Sequence, residues 1–221
     1  RIWQYVQPAS QAHLRTRCPH QGLVLTAVWR RNRLQWENAH VRWPLARWRS
    51  VLFTDETRFQ LYRADGRQRC VSKQFADVNV VNRVPHGGGG VIVWAGISYG
   101  QRTQLHFIDG NLNAQRYRDE ILRPIVGPFI SQHHLMFQHD NAWPHVARVC
   151  TQFLEAENVP VLPWPAYSPD MTPIEHVWDA LGRRVRQSVP VPTNIQKLRA
   201  AIEEEWENIP RATINSLINS M

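Results

Sequence analysis

The stretch Val51-Leu-Phe-Thr-Asp-Glu-Thr-Arg-Phe59 decides how this chain is read. It is rich in β-branched and aromatic residues, which suit a pleated, buried surface. Alternate side chains of a strand point to opposite faces. Val51, Phe53 and Asp55 therefore share one face, and Leu52, Thr54 and Glu56 the other. Both faces are apolar until the acids arrive, as expected of a central strand covered on both sides. A strand, bent or straight, is expected from Val51 to Tyr62. Asp55 is read as ending its buried run, at the rim of the sheet where sites commonly form. Taken alone, the acid reads equally as a turn residue before Thr57 and Arg58.

Two more acids stand in comparable settings. Asp140 follows the apolar run Leu135-Met-Phe137 in the order Gln138-His139-Asp140-Asn141. It suits a site at a strand end, or an Asx turn before a helix opened by Pro144. His139 and His145 are polar groups close by in sequence. Glu175 lies in Thr172-Pro173-Ile174-Glu175, which has the form of a capping box with Thr172 as N-cap and Pro173 at the first helical position. On the wheel of that helix Ile174, Val177, Trp178, Leu181 and Val185 form the apolar stripe. Glu175 lies about 100° from Ile174, at the border. It can fold back on its cap or lean over the sheet edge, and the sequence leaves both open. A fold that brings all three carboxylates to one point makes a cluster unstable without cations. That is the form of a divalent-metal site for phosphoryl chemistry.

The remaining pattern fits a mixed α/β sheet flanked by helices. Strands are expected at Gln68 to Ser72, Val91 to Ser98 and Gln104 to Ile108, separated by turn signals at Asp65-Gly66, Tyr99-Gly100 and Asp109-Gly110. Helices and strands then alternate: helix Asn113 to Val126, strand Leu135 to Gln138, helix Pro144 to Glu157, strand Val159 to Leu162, helix Pro173 to Arg186 and helix Thr193 to Trp206. A helix is also expected over 23–43, ended by Pro44.

The chain has 221 residues, 43% hydrophobic, with ten Trp, enough for one sizeable packed domain with an appendage. No apolar run approaches the roughly 20 residues of a membrane span. Cys18, Cys70 and Cys150 are odd in number and widely spaced, which argues against a disulfide framework or a zinc site. The net charge of +8 resides entirely in residues 1–50, where nine arginines face one acid, Glu37. Those arginines interleave with Trp3, Trp29, Trp36, Trp43 and Trp48, a combination suited to a phosphate backbone. The plainer alternative is a basic helix packing its tryptophans on the core. Candidate DNA contacts are Arg30, Arg31, Arg33, Arg42 and Arg47, with Arg183, Arg184 and Arg186 on the helix after Glu175. For Arg183 a helical pair with Asp179 competes.

Four segments carry a family resemblance: Phe53-Thr-Asp-Glu-Thr-Arg-Phe59, Gly87-Gly-Gly-Gly-Val-Ile-Val-Trp94, Gln138-His-Asp-Asn-Ala142 and Ser168-Pro-Asp-Met-Thr-Pro-Ile-Glu-His-Val-Trp-Asp179. In this order and over roughly residues 23–205 the chain resembles the catalytic domain of mariner-superfamily DNA transposases. It is closest to the branch with 34 residues between its last two acids.

The resemblance implies a ribonuclease H-like fold and an acidic triad Asp55, Asp140 and Glu175 binding Mg²⁺, with Mn²⁺ able to substitute. It also implies strand cleavage and strand transfer on double-stranded DNA by a homodimer in the nucleus, and an insertion over 65–90 for dimer contacts, with Gly87–Gly90 as hinge. The expected division is a basic Arg/Trp-rich arm, or the remnant of a DNA-binding domain and linker, at 1–45, then a catalytic domain at 46–210 and a tail at 211–221. Two departures stand out. Trp143 replaces a basic or small residue, and the chain is too short for the two helix-turn-helix units of the family, so residues 1–40 match at most the tail of the second. The alternatives are a catalytically silent DNA-binding or dimerising remnant, or another ribonuclease H-like nuclease.

Overall fold

The computed structural model describes residues 25–61 and 89–221. Its architecture is organised by β1 (Val51–Gln60). This strand pairs antiparallel with β2 (Gly90–Ser98) from Phe53 opposite Ile97 to Gln60 opposite Gly90. It pairs in parallel with β5 (Met136–Gln138) only from Val51 opposite Met136 to Phe53 opposite Gln138. β3 (Gln101–Arg102) and β4 (His106–Ile108) both pair with β2, which completes a mixed five-stranded sheet.

The alternation of β1 divides the interior in two. Val51 and Phe53, with Val93, Ala95 and Ile97, pack in one core with α6 (Pro173–Gln187), α7 (Ile195–Glu207) and α8 (Arg211–Asn219). Leu52, Trp94 and Phe137 pack in the other with the helices that follow β4. Burying each such side chain contributes about 1.5–3 kcal/mol, so a one-residue slip of β1 would forfeit both cores at once. The second layer starts at α3 (Ala114–Arg116), capped by the Asn113 side chain, which accepts from the Arg116 N–H. It becomes π-helical over Tyr117–Val126, continues as α4 (Gly127–His133), and stops where His134 turns left-handed. α5 (Arg148–Ala156) closes this face.

At the front, α1 (Ala27–His40) and α2 (Leu45–Arg49) lie against the first core through aromatic rings. The Trp36 Nε1–H donates to the Pro163 carbonyl at 2.5 Å, its ring lies 4.6 Å from that of Trp164, and Trp48 is buried. Trp36, Trp43 and Trp48 thus follow the plainer expectation, while Trp3 lies outside the described residues.

Several sequence expectations need correction. Asp55 lies within β1, not at its end, because pairing with β2 continues to Gln60. What ends near Asp55 is the partnership with β5, and this still leaves the acid at an open rim. The helix expected from Pro144 begins only at Arg148. The N–H groups of His145 and Val146 both bond to Ala142 O, in turns that precede it. The strand expected at Val159 to Leu162 is a single parallel bridge from Phe137 to Val161. Pro160 and Pro163 flank that bridge and supply no N–H for a longer ladder. The expected tail at 211–221 is largely α8, with Ile214 and Ile218 in the core. The strand at Gln68 to Ser72, most of the 65–90 insertion, Gly87 and Gly88 lie outside the described residues. Gly90 is a close approach: a Cβ there would stand 2.7 Å from the Phe59 carbonyl oxygen.

Candidate active site

The three acids come from three elements. Asp55 projects from β1 on the face of Phe53, toward α6. There the Trp178 Nε1–H donates to Asp55 Oδ2 at 3.2 Å. Asp140 follows β5 by two residues and is half-exposed. Glu175 stands in the first turn of α6. The capping box does not form. The Thr172 N–H is taken by the Pro169 carbonyl, the Thr172 hydroxyl is buried without a partner, and the cap makes no side-chain bond. The Glu175 carboxylate is left for the sheet edge.

Burial pushes the Asp55 pKa up from 3.8, and the charges of Glu56, Glu175 and Asp140 push it further, to about 8. Burial also raises Glu175, partly opposed by His176. Asp140 behaves differently. Burial acts to raise it too, but the hydrogen bond and charge of His145, helped by the Ala142 N–H, bring it below its ordinary value.

His145 is 3% exposed. Its Nδ1 lies 2.5 Å from Asp140 Oδ1, and its Nε2 lies 3.0 Å from Glu56 Oε1. Burial lowers its pKa, but the bonds to Asp140 and Glu56 outweigh burial and carry it to about 9. Its ring stacks on Tyr117 at 4.0 Å. The neighbouring His139 is pushed below its ordinary value by burial.

Among the described residues no three His, Cys, Asp or Glu side chains stand close enough to hold a metal ion together. The donor set nevertheless suits a hard divalent cation. All three groups are carboxylates, and burial, with the charges of Glu56, Glu175 and Asp140 added, disfavours an ionised Asp55 without a compensating charge.

The segment that carries these three acids falls within a known family. The family model described as DDE superfamily endonuclease matches residues 50–197. The chain belongs to the DDE superfamily endonucleases. Its full-length relatives are transposases of the Tc1/mariner group. It is 30% identical to the Tc1 transposase of Caenorhabditis elegans over 220 residues, 96% of this chain and 78% of that one. It is 31% identical to the Tcb1 transposase of Caenorhabditis briggsae over 216 residues, 95% of this chain and 78% of the relative. In fold it resembles the Mos1 transposase in its strand transfer complex, with a TM-score of 0.76 at 16% identity, covering 96% of this chain and 64% of that one. The isolated Mos1 catalytic domain gives 0.64, covering 92% of this chain and 91% of that one. The chain thus spans somewhat under two thirds of the longer Mos1 structure. These likenesses establish a ribonuclease H-like DDE domain with its sheet flanked by helices.

The candidate DNA-contact arginines separate into two groups. Arg33 is held on Asp170, with Nη1 at 2.7 Å and Nη2 at 2.5 Å from its two oxygens, and also donates to the Tyr167 carbonyl. Arg47 stacks over Trp43 at 3.9 Å. Arg183 pairs with Asp179, and Arg184 reaches Glu205 and the Asn208 carbonyl. Arg30, Arg31, Arg42 and Arg186 are exposed. Trp143 is 90% exposed, three residues beyond Asp140. Sequence reasoning passed over Glu56 and Trp178 as parts of the site. The signals were present: Glu56 faces away from Asp55 on a two-sided strand, and Trp178 lies one helical turn after Glu175.

Proposed function

We propose that this DDE domain cleaves double-stranded DNA at transposon ends and joins the freed end to target DNA, acting as a homodimer in the nucleus of its host. The observation that carries the reading is the placement of three carboxylates on β1, the segment after β5 and α6, with Glu175 and Asp140 adding their charge to the burial and the Glu56 charge that together push Asp55 to about 8. Support also comes from the Tc1 and Tcb1 relatives, which are transposases, and from the fold shared with the Mos1 strand transfer complex and the Mos1 paired-end complex with a transposon end. Mos1 structures with Mg and with Mn support the choice of cations.

Asp55, Asp140 and Glu175 hold Mg²⁺, with Mn²⁺ able to substitute. When bound, such cations lower the pKa of an attacking hydroxyl and stabilise charge at phosphorus. Asp55 would be one of the ligands, and the Trp178 N–H fixes its Oδ2. In the first step water attacks phosphorus in line, the bond to the 3′ oxygen breaks, and a 3′-hydroxyl and a 5′-phosphate result. In the second the 3′-hydroxyl attacks a target phosphate and forms a new phosphodiester, releasing the target strand's own 3′-hydroxyl. Neither step uses a protein nucleophile. The exposed Arg30, Arg31 and Arg42 on the α1 side, and Arg186 at the end of α6, are the side chains free to meet phosphates. Arg33, Arg47, Arg183 and Arg184 contact DNA only by exchanging their present partners.

The test is nicking of supercoiled plasmid by the purified chain in Mg²⁺ or Mn²⁺, beside Asp140→Asn. Metal-dependent nicking lost in the variant supports the reading. Duplex binding without nicking in the unaltered chain overturns autonomous catalysis and favours a binding remnant.

A further inference from the structure

His145 is not one of the three acids, yet it is more deeply buried than Asp140 and touches acids on two different elements. Its Nδ1 faces Asp140 Oδ1 at 2.5 Å and its Nε2 faces Glu56 Oε1 at 3.0 Å. A carboxylate is an acceptor, so both ring nitrogens donate when both acids are ionised. The ring cannot swing away, because Tyr117, itself fully buried, stacks on it at 4.0 Å and 29°. Asp140 Oδ1 also accepts from the Ala142 N–H at 3.0 Å. One oxygen of Asp140 is therefore committed inward, to the protein, by two donors.

Glu56 explains how this hold is anchored. It follows Asp55 in β1 and points to the opposite face, into the layer that contains Tyr117. Parallel pairing of β1 with β5 stops at Phe53 and Gln138, so no backbone ladder ties the segment carrying Asp140 to β1 beyond that point. The bridge Glu56–His145–Asp140 spans that opening.

We propose that His145, anchored by Glu56, is a positioning residue that fixes the Asp140 carboxylate with Oδ1 turned inward and Oδ2 presented to a divalent cation. The proposal rests on the metal-site reading above. Glu56 in this arrangement is an anchor and not a ligand. Groups that orient a metal ligand in this way typically contribute 10–100-fold in metal affinity or activity.

The experiment measures Mn²⁺ binding to the full 221-residue chain by the electron paramagnetic resonance signal of free Mn²⁺. His145→Ala, Glu56→Gln, Asp140→Asn and the packing control Ile121→Val are compared, each checked by circular dichroism. The expected result is a Kd raised by about 10–100-fold in His145→Ala and in Glu56→Gln, with Ile121→Val unchanged. The Mn²⁺ concentration for half-maximal nicking moves by the same factor. In Glu56→Gln the ¹⁵N spectrum of the His145 ring should also lose its doubly protonated form. An unchanged Kd in a folded His145→Ala overturns the proposal. If that variant does not fold, Glu56→Gln decides alone, and an unchanged Kd there overturns it equally. An equal rise in Ile121→Val also overturns it, since general loosening would then suffice. If Asp140→Asn itself leaves Mn²⁺ affinity unchanged, the metal-site reading fails, an outcome distinct from failure of the bridge alone.

Discussion

The two sides of the site hold their acids in opposite ways. On the α6 side, Asp55 and Glu175 are both raised by burial, and among the described residues no cationic side chain is bonded to Asp55. On the α5 side, Asp140 and Glu56 share one histidine and Asp140 stays low. One half carries its own counter-charge, and the other is compensated only when a cation arrives. The difference follows from β1, whose alternation sends Asp55 toward one layer and Glu56 toward the other.

The largest expected effect comes from neutralising each side in turn. Asp55→Asn should reduce metal-dependent nicking to the metal-free background yet raise the melting temperature of the metal-free protein near neutral pH and above, because it removes a charge that burial opposes. Asp140→Asn should abolish nicking as well but lower the melting temperature, since it takes a charged partner from buried His145. The loss is about 1 kcal/mol, given that Asp140 is half-exposed. Equal stability changes in the two variants would break the comparison.

pH sharpens it. The folded pKa of Asp55 lies above its ordinary value of 3.8, at about 8, so the folded state binds more protons between these limits and stability falls as pH rises through them. His145 acts in the same direction: its contribution is complete below 6.5 and is lost as pH rises through about 9. The lowered Asp140 contributes stability that is lost only in acid. Thermal melts of metal-free protein should therefore decline between about pH 6 and about pH 9. Added Mg²⁺ should restore more at the upper end, where its ligands are ionised. A flat profile would contradict the charge placement described here.

Smaller effects test the arm. Arg33→Ala breaks the double bond pair to Asp170 and the bond to the Tyr167 carbonyl, in the loop that leads to Glu175. A loss of about 1 kcal/mol is expected, because Asp170 is largely exposed, with faster proteolysis between residues 163 and 171. Arg183→Ala should change stability by less than about 0.5 kcal/mol, as its partner Asp179 is an exposed neighbour one helical turn away. If the salt dependence of DNA binding also stays the same in Arg183→Ala, that arginine is a helix-surface residue and not a phosphate contact.

The sequence by itself determined the central strand and the helical layers around it, and singled out three acids as candidates. Those depend on short-range periodicity and on residue types whose burial is costly unless compensated. Val51 to Phe53, the stripe Ile174 to Val185 and the series Ile195 to Trp206 carry that information in their spacing. Tertiary structure alone decided which neighbours each acid meets. The capping box at Thr172 was equally readable as a cap until the Pro169 carbonyl took its N–H. The helix expected from Pro144 was delayed to Arg148 in a segment whose His145 ring lies against Asp140 and Glu56, 5 and 89 residues away. Arg33 and Arg184 looked like the other arginines until Asp170 and Glu205, 137 and 21 residues away, claimed them. Contacts between residues so far apart in the chain leave no periodic trace. They arise only when the layers close and every buried polar group must find a partner.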